Sequence, residues 1–221
     1  MKKLLILTII LFLITGCSSN NTDNNQNDNQ EIDNNETIDN IETDTNNEIK
    51  SLVIYFSRTG EQYGVGVIDE GNTAIVAKMI AEELNADTFE VLPIEDYYPY
   101  TYNELTDVAK KEQAENARPE YQGNLPDLSE YDLLFIGAPV WWSDWPMIMY
   151  TLFESNDFSN KDIYVFNTHA GSGLSGFTNK LQSACPNSNV IDGLAISGTD
   201  AQNNKDKVRN SIQDWLKDII K

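Results

Sequence analysis

The stretch Tyr131-Asp132-Leu133-Leu134-Phe135-Ile136-Gly137 is nearly unbroken in apolar character. A strand with one wet face would alternate, so this one reads as buried on both faces, which requires helices above and below it. The rest of the chain supplies them. Residues 52–56, 88–94, 162–167 and 190–196 read as further strands, β-branched and aromatic in content. Pro93 confines the end of the second strand to an edge or exit position. Helices are expected over 74–84, 103–116, 147–154, 177–184 and 205–220. The first aligns Ile75, Val76, Met79, Ile80 and Leu84, and the last aligns Val208, Ile212, Trp215, Leu216 and Ile219. Five strands alternating with helices make an α/β fold, an open five-stranded parallel sheet covered on both faces.

In such sheets a ligand sits outside the carboxyl ends of the strands, where strand order reverses. Three loops leave those ends with unusual chemistry: 57–73, 138–146 and 168–176. If the strand order is 2-1-3-4-5, the first two flank the reversal and the third is the next loop over.

The first loop runs from Ser57-Arg58-Thr59-Gly60 to Gly71-Asn72-Thr73, between a strand and a helix. First-turn N–H groups lack intrahelical partners and the helix dipole is positive there, so an anion is welcome. Hydroxyls of Ser57, Thr59 and Thr73 add donors, and Gly60 and Gly71 permit close backbone approach. No lysine follows Gly71, which argues against a triphosphate loop and suits a terminal monophosphate. The competing reading is an ordinary turn with Asn72 or Thr73 as its cap.

The second loop carries Trp141, Trp142 and Trp145. A tryptophan beside a planar ligand offers stacking and excludes water; alternatively it packs the following helix or forms a partner patch. In the third loop, Gly171-Ser172-Gly173-Leu174-Ser175-Gly176 matches a dinucleotide fingerprint. It follows a late strand and lacks the acidic residue about 20 positions on, so that reading is set aside. His169, the one histidine, is either a proton donor near a ligand or a hydrogen-bonded loop residue. Tyr97, Tyr98, Tyr100 and Tyr102 either floor a ligand site or pack a long connection. Cys185, beside Pro186, reads as a small apolar packer and not a thiol catalyst.

Taken together these loops resemble the flavodoxin family. Ser57-Arg58-Thr59-Gly60 with Gly71-Asn72-Thr73 is similar to its Ser/Thr-X-Thr-Gly-Asn-Thr phosphate loop, interrupted here by residues 61–70. Residues 137–142 and 168–173 resemble the two flavin-ring loops of the longer-loop subfamily. The resemblance covers 51–221 and implies a flavodoxin-like three-layer sandwich of order 2-1-3-4-5; flavodoxin, with FMN at the reversal, is itself a worked example of that rule. It implies FMN as cofactor. The phosphate would be held by Ser57, Arg58, Thr59, Gly60, Gly71, Asn72 and Thr73. The ring would be held by Pro139, Val140, Trp141, Trp142, Thr168, His169, Gly171, Ser172 and Gly173. It further implies a main-chain carbonyl within 137–140 that accepts from N5–H of reduced flavin. The insertion is either a flap over the ligand or an inert surface loop, since lengthening a loop costs little. It leaves open whether Gly60 or Gly71 supplies the N–H nearest the phosphate. No catalytic residue and no metal ligand is assigned.

The chain begins Met1-Lys2-Lys3, followed by an apolar run over 4–14 too short to span a bilayer, which needs roughly 20 residues. Ile14-Thr15-Gly16-Cys17 resembles the bacterial lipobox, so residues 1–17 are expected to be a signal peptide ending at a lipidated Cys17. The competing reading is a general signal peptide with a free cysteine. Two acyl chains at about 0.8 kcal/mol per buried CH₂ hold a protein stably where one would not. Residues 18–50, rich in Asn, Asp, Glu and Thr, read as a disordered tether spanning roughly 30 Å. A formal net charge of −20 excludes a nucleic-acid binder and leaves the lipid as the only expected membrane contact. With Cys17 lipidated, Cys185 has no disulfide partner within the chain.

The expectation is therefore a monomeric, extracytoplasmic, membrane-tethered FMN protein exchanging electrons with partner proteins. The alternatives are an FMN-dependent NAD(P)H oxidoreductase acting on quinones or other small acceptors, and a flavin-free surface binding module.

Overall fold

The computed structural model of the chain describes residues 49–220; the expected signal peptide, Cys17 and the expected tether up to residue 48 lie outside the described residues. In chain order the elements are β1 (Ser51–Tyr55), a hairpin of β2 (Gly60–Gln62) and β3 (Gly66–Ile68), α1 (Asn72–Leu84), β4 (Asp87–Glu90), α2 (Tyr102–Glu115), β5 (Leu133–Pro139), α3 (Met147–Ser155), β6 (Asp162–His169), α4 (Phe177–Ala184), β7 (Asn189–Ser197), α5 (Gly198–Asn203) and α6 (Lys205–Ile219). The main sheet runs β4-β1-β5-β6-β7 with every pair parallel. Counted along the chain without the hairpin, that is the expected order 2-1-3-4-5.

Every residue of β1 is buried, and its alternation shows why both faces had to be apolar. Leu52, Ile54 and Phe56 join a core with Ile148, Leu152 and Phe177 on one side. Val53 and Tyr55 join Ile75, Ile80, Val208 and Ile212 on the other. Helix α1 has no acidic residue in its first turn and no side-chain cap on Gly71. Its stability comes from burial of Ile75, Val76, Met79 and Ile80, each worth roughly 1.5–3 kcal/mol. The N-terminal N–H groups are thereby left for other use. Asn85 and Asn116, both at positive φ, end α1 and α2, a turn of handedness that asparagine tolerates.

The structure differs from the sequence reading in three places. The second strand ends at Glu90, because the chain beyond Val91 pairs with residues 120–122 instead: Ile94 N–H donates to Glu120 O and Gln122 N–H to Leu92 O. Residues 60–68 form a hairpin, and 198–203 form α5, which was not foreseen. Among the described residues no helix is long and apolar enough to cross a membrane.

Candidate functional site

At the reversal between β1 and β5 the loop after β1 closes on the start of α1. Ser57 Oγ accepts from Ala74 N–H at 3.0 Å. Gly71 lies so close that a Cβ there would fall 2.2 Å from Ser57 Oγ. The bond from Ile75 N–H to Gly71 O opens the helix, so the N–H groups of Asn72 and Thr73 precede any intrahelical acceptor. Gly71 is thus the helix cap. Gly60, at φ +89°, instead turns the chain into the hairpin, its Cα so near Tyr100 that a Cβ would fall 2.7 Å from the carbonyl oxygen. Thr73 is buried, its hydroxyl 2.7 Å from that of Thr168. That pair joins the α1 terminus to the end of β6.

Arg58 is engaged elsewhere. It grips Asp96 through both carboxylate oxygens at 2.7 and 2.9 Å and donates to Tyr98 O at 2.9 Å. Its Nε is buried without a hydrogen-bond partner. Thr59 is exposed.

The insertion is fastened to the start of α2. Glu61 N–H donates to Tyr100 O at 2.9 Å, Glu61 Oε2 accepts from Tyr102 N–H at 2.8 Å, and the Tyr63 and Tyr102 rings lie 5.7 Å apart. Behind it opens a cavity of about 190 Å³. Gln62 and Tyr63 come from the hairpin, Asn72 from α1, and Tyr102, Leu105, Thr106 and Ala109 from α2. The sheet side supplies Pro139, Val140, Trp141 and Trp142 after β5, Thr168, His169 and Ala170 after β6, and Gly198 from α5.

The three tryptophans have three roles. Trp141 faces the cavity and is held edge-on to Phe56 and Tyr98, with ring centroids 5.4 and 5.2 Å away. Trp142 is 50% exposed and sits with Ser143 at positive φ, +49° and +60°. Reciprocal 2.9 Å bonds between Trp141 and Asp144 close this two-residue loop, the type I′ pattern. Trp142 Nε1–H donates to Thr106 O at 2.9 Å. Trp145 is 1% exposed. It stacks on Phe177 at 3.9 Å and donates to its carbonyl at 3.0 Å, packing α4 and leaving the cavity to the other two.

Below Trp141, the tyrosine cluster divides. Tyr98 is buried and Tyr100 exposed, while the hydroxyls of Tyr97 and Tyr98 both reach the carboxylate of Glu112. Burial pushes the Glu112 carboxyl above its ordinary range. On the other side, His169 Nδ1 accepts from Gly171 N–H at 2.9 Å, which places the proton of the neutral ring on Nε2. Burial lowers its pKa.

Of the residues singled out from sequence, Asn72, Pro139, Val140, Trp141, Trp142, Thr168 and His169 meet at the cavity. Ser57, Gly71 and Thr73 form a layer behind Asn72 at the helix start. Gly171 and Ser172 are exposed beyond the wall, and Gly173 O accepts from Asn167 Nδ2 at 3.1 Å. Tyr102, one of the tyrosines offered as a possible floor of a ligand site, lines the cavity; the rest of the α2 wall was missed, although Leu105, Thr106 and Ala109 fall with it at one-face helical spacing.

Residues 50–219 match the family model described as Flavodoxin. No protein among those of curated function matches. A solved structure from Bacteroides uniformis, described as that of a flavoprotein, is 30% identical, with a TM-score of 0.61 over 76% of this chain and 98% of that one. A second, from Bacteroides eggerthii, is 24% identical with a TM-score of 0.58, over 76% and 98% of the two chains. A flavoprotein from Lactobacillus acidophilus, solved in complex with FMN, is 24% identical with a TM-score of 0.55, over 71% and 97%. The last two show a likeness of fold.

Proposed function

The chain belongs to the flavodoxin family, and from that premise we propose that it binds FMN, carries electrons between partner proteins, and is held outside the cell membrane by lipid on Cys17. The donor set fits the group. The α1 terminus offers main-chain N–H groups, hydroxyls and the Asn72 amide, with Arg58 paired to Asp96. That chemistry suits a phosphate monoester at a helix start. The carrying observation is that this end shares one cavity, at the strand reversal, with Trp141 and Trp142.

A bound FMN supplies reversible electron transfer; the protein supplies position and surroundings. Trp141 and Trp142 exclude water from a planar ring and offer it stacking surface. The cavity, about 190 Å³, is smaller than the roughly 300 Å³ and upward of sites that enclose a drug-sized ligand, so FMN would extend beyond it. The acidic surface, with a formal net charge of −20 on the chain, favours approach of a partner's basic face. Nε2–H of His169, at the cavity wall, is a donor for a ligand acceptor.

The test is absorption of the purified domain before and after FMN is added, with Ser57→Ala, Thr59→Ala and Thr73→Ala combined. The triple variant should lose about a hundredfold or more in FMN affinity, as expected for lost hydrogen bonds to a charged group. Unchanged affinity would sink the reading. For the anchor, Cys17→Ala should move the protein out of the membrane fraction; retention there would argue against lipid as the tether.

One observation favours a second reading. Tyr63 and Tyr102 add a further aromatic wall, and hydride transfer from NADH or NADPH needs a second planar site held near a flavin. Steady oxidation of either by the purified holoprotein, with a small quinone as acceptor, would make the chain an enzyme and not a carrier.

A further inference from the structure

We propose that Gln202 is a positioning residue: it locks the side-chain amide of Asn72 with its N–H groups towards the cavity, and so makes the site select phosphorylated over unphosphorylated flavin. The inference rests on the FMN reading and assigns a role to α5 that the strand and loop chemistry did not indicate.

Two hydrogen bonds of Gln202 fix the orientation of both amides. Glu70 O is a main-chain carbonyl and can only accept, and Gln202 Nε2 lies 2.8 Å from it. That contact fixes which end of the Gln202 amide carries hydrogen. The same Nε2 lies 2.9 Å from Asn72 Oδ1, so the orientation of Asn72 is fixed in turn. Its oxygen is occupied, and its Nδ2 is left as a donor. Asn72 lines the cavity. Nδ2 lies over Gly198, where a Cβ would fall 2.6 Å away, and Gly198 lines the cavity as well.

Residues 198 and 202 are one helical turn apart, so both act from the same face of α5. The glycine makes room for the amide and the glutamine turns it. The helix is itself held firmly. Ser197 Oγ accepts from Asp200 N–H at 3.0 Å, Asp200 pairs with Lys207, and Ala201 is fully buried in the α1 and α6 core. An unrestrained asparagine would present N–H or oxygen with similar ease, and an oxygen facing a phosphate repels it. A pre-set donor removes that alternative at no cost on binding.

The experiment compares Kd for FMN and for riboflavin, which lacks the phosphate, in wild type and variants. Wild type should bind FMN the tighter of the two. Gln202→Glu replaces a donor by an acceptor, turns the Asn72 amide over, and should weaken FMN by about thirtyfold while riboflavin changes by less than about twofold. Gln202→Leu, which frees the amide without reversing it, should cost FMN about three- to tenfold on the same scale. In an Asn72→Ala background Gln202→Leu should cost nothing further, because the two residues act as one unit. Should the Gln202 variants fail to fold, Asn72→Asp swaps donor for acceptor at the same atom and must show the same selective loss. The proposal is overturned if FMN and riboflavin weaken in parallel, or if these variants keep the wild-type ratio of affinities. Wild type binding both flavins equally would also overturn it and leave the FMN reading standing; wild type binding neither would overturn both.

Discussion

The two loops that follow β5 and β6 face the same cavity and are built in opposite ways. The β5 loop is tied down at nearly every residue. Trp142 is bonded to α2, Ser143 O accepts from Lys180 of α4 at 2.6 Å, and Asp144 accepts from the Trp145 N–H and the Tyr150 hydroxyl and pairs with Lys180. Those ties hold two bulky or polar residues at positive φ, where each costs of order 1 kcal/mol or more. The β6 loop meets the same backbone demand with glycine: Gly171, Gly173 and Gly176 all sit at positive φ, and its bonds are few, chiefly His169 to Gly171 and Asn167 to Gly173. The β5 loop is tied by side chains to α2 and α4 at the cavity, whereas the β6 loop touches the cavity only at its start, through Ala170, and its glycine-rich remainder has few such ties.

The strongest way to break this contrast is to cut each loop from the core. Trp145→Ala removes a buried indole stacked on Phe177 and should cost about 3–5 kcal/mol. Asn167→Ala removes one bond to Gly173 O and also removes a buried Oδ1 that has no partner, so it should cost only about 1 kcal/mol. Urea denaturation of the ligand-free domain measures both. Equal losses would mean that the loops are anchored alike.

The same contrast explains what could be read in advance. The three central strands were legible because burial on both faces leaves a nearly unbroken apolar run. The edge strands β4 and β7, largely exposed or half-buried, were legible from composition and from their alternation with helices, and the strand order followed from the resemblance to flavodoxin. The sorting of the tryptophans was not legible. It depends on a type I′ turn, which sequences usually announce with Asn-Gly or Asp-Gly and which here is Trp142-Ser143. The hairpin strands are three residues each, too short to alternate visibly. Helix α5 is too short for helical periodicity, although Ser197 followed three residues later by Asp200 is a start signal that could have found it. The face of α2 was visible as a stripe, but its outlook on a cavity depends on where the hairpin folds back.

A smaller effect distinguishes the two sides by pH. Glu112, beneath Tyr98 and Trp141, has a raised pKa because it is buried. It keeps its proton longer folded than unfolded, so its contribution is full below the unfolded value near 4.5 and drains away as pH rises through the folded one. His169, on the β6 side, has a lowered pKa, also from burial. Its contribution is full above the unfolded value near 6.5 and is lost as pH falls through the folded one. Glu112→Gln should therefore remove the loss of stability that sets in as pH rises above about 4.5, and His169→Asn the loss that sets in as pH falls below about 6.5, in melting temperatures taken from roughly pH 4 to pH 8. A profile unchanged by either substitution would remove that residue from the account.

The smallest effect is also the most direct test of stored strain, because each loop holds one serine at positive φ: Ser143 at +60° and Ser175 at +51°. The substitution Ser→Gly relieves the same steric penalty in both, while glycine adds backbone freedom to the unfolded chain and opposes the gain. In the β5 loop the surrounding bonds impose the conformation whatever residue is present, so relief should dominate and Ser143→Gly should stabilise by about 0.5–1 kcal/mol. In the β6 loop three glycines already share the turn, and Ser175→Gly also loses the 3.3 Å bond from its hydroxyl to Ser172 O, so the change should stay within about 0.3 kcal/mol of zero. If Ser175→Gly proves the more stabilising of the two, the greater strain lies in the β6 loop, and the contrast between the two loops must be reversed.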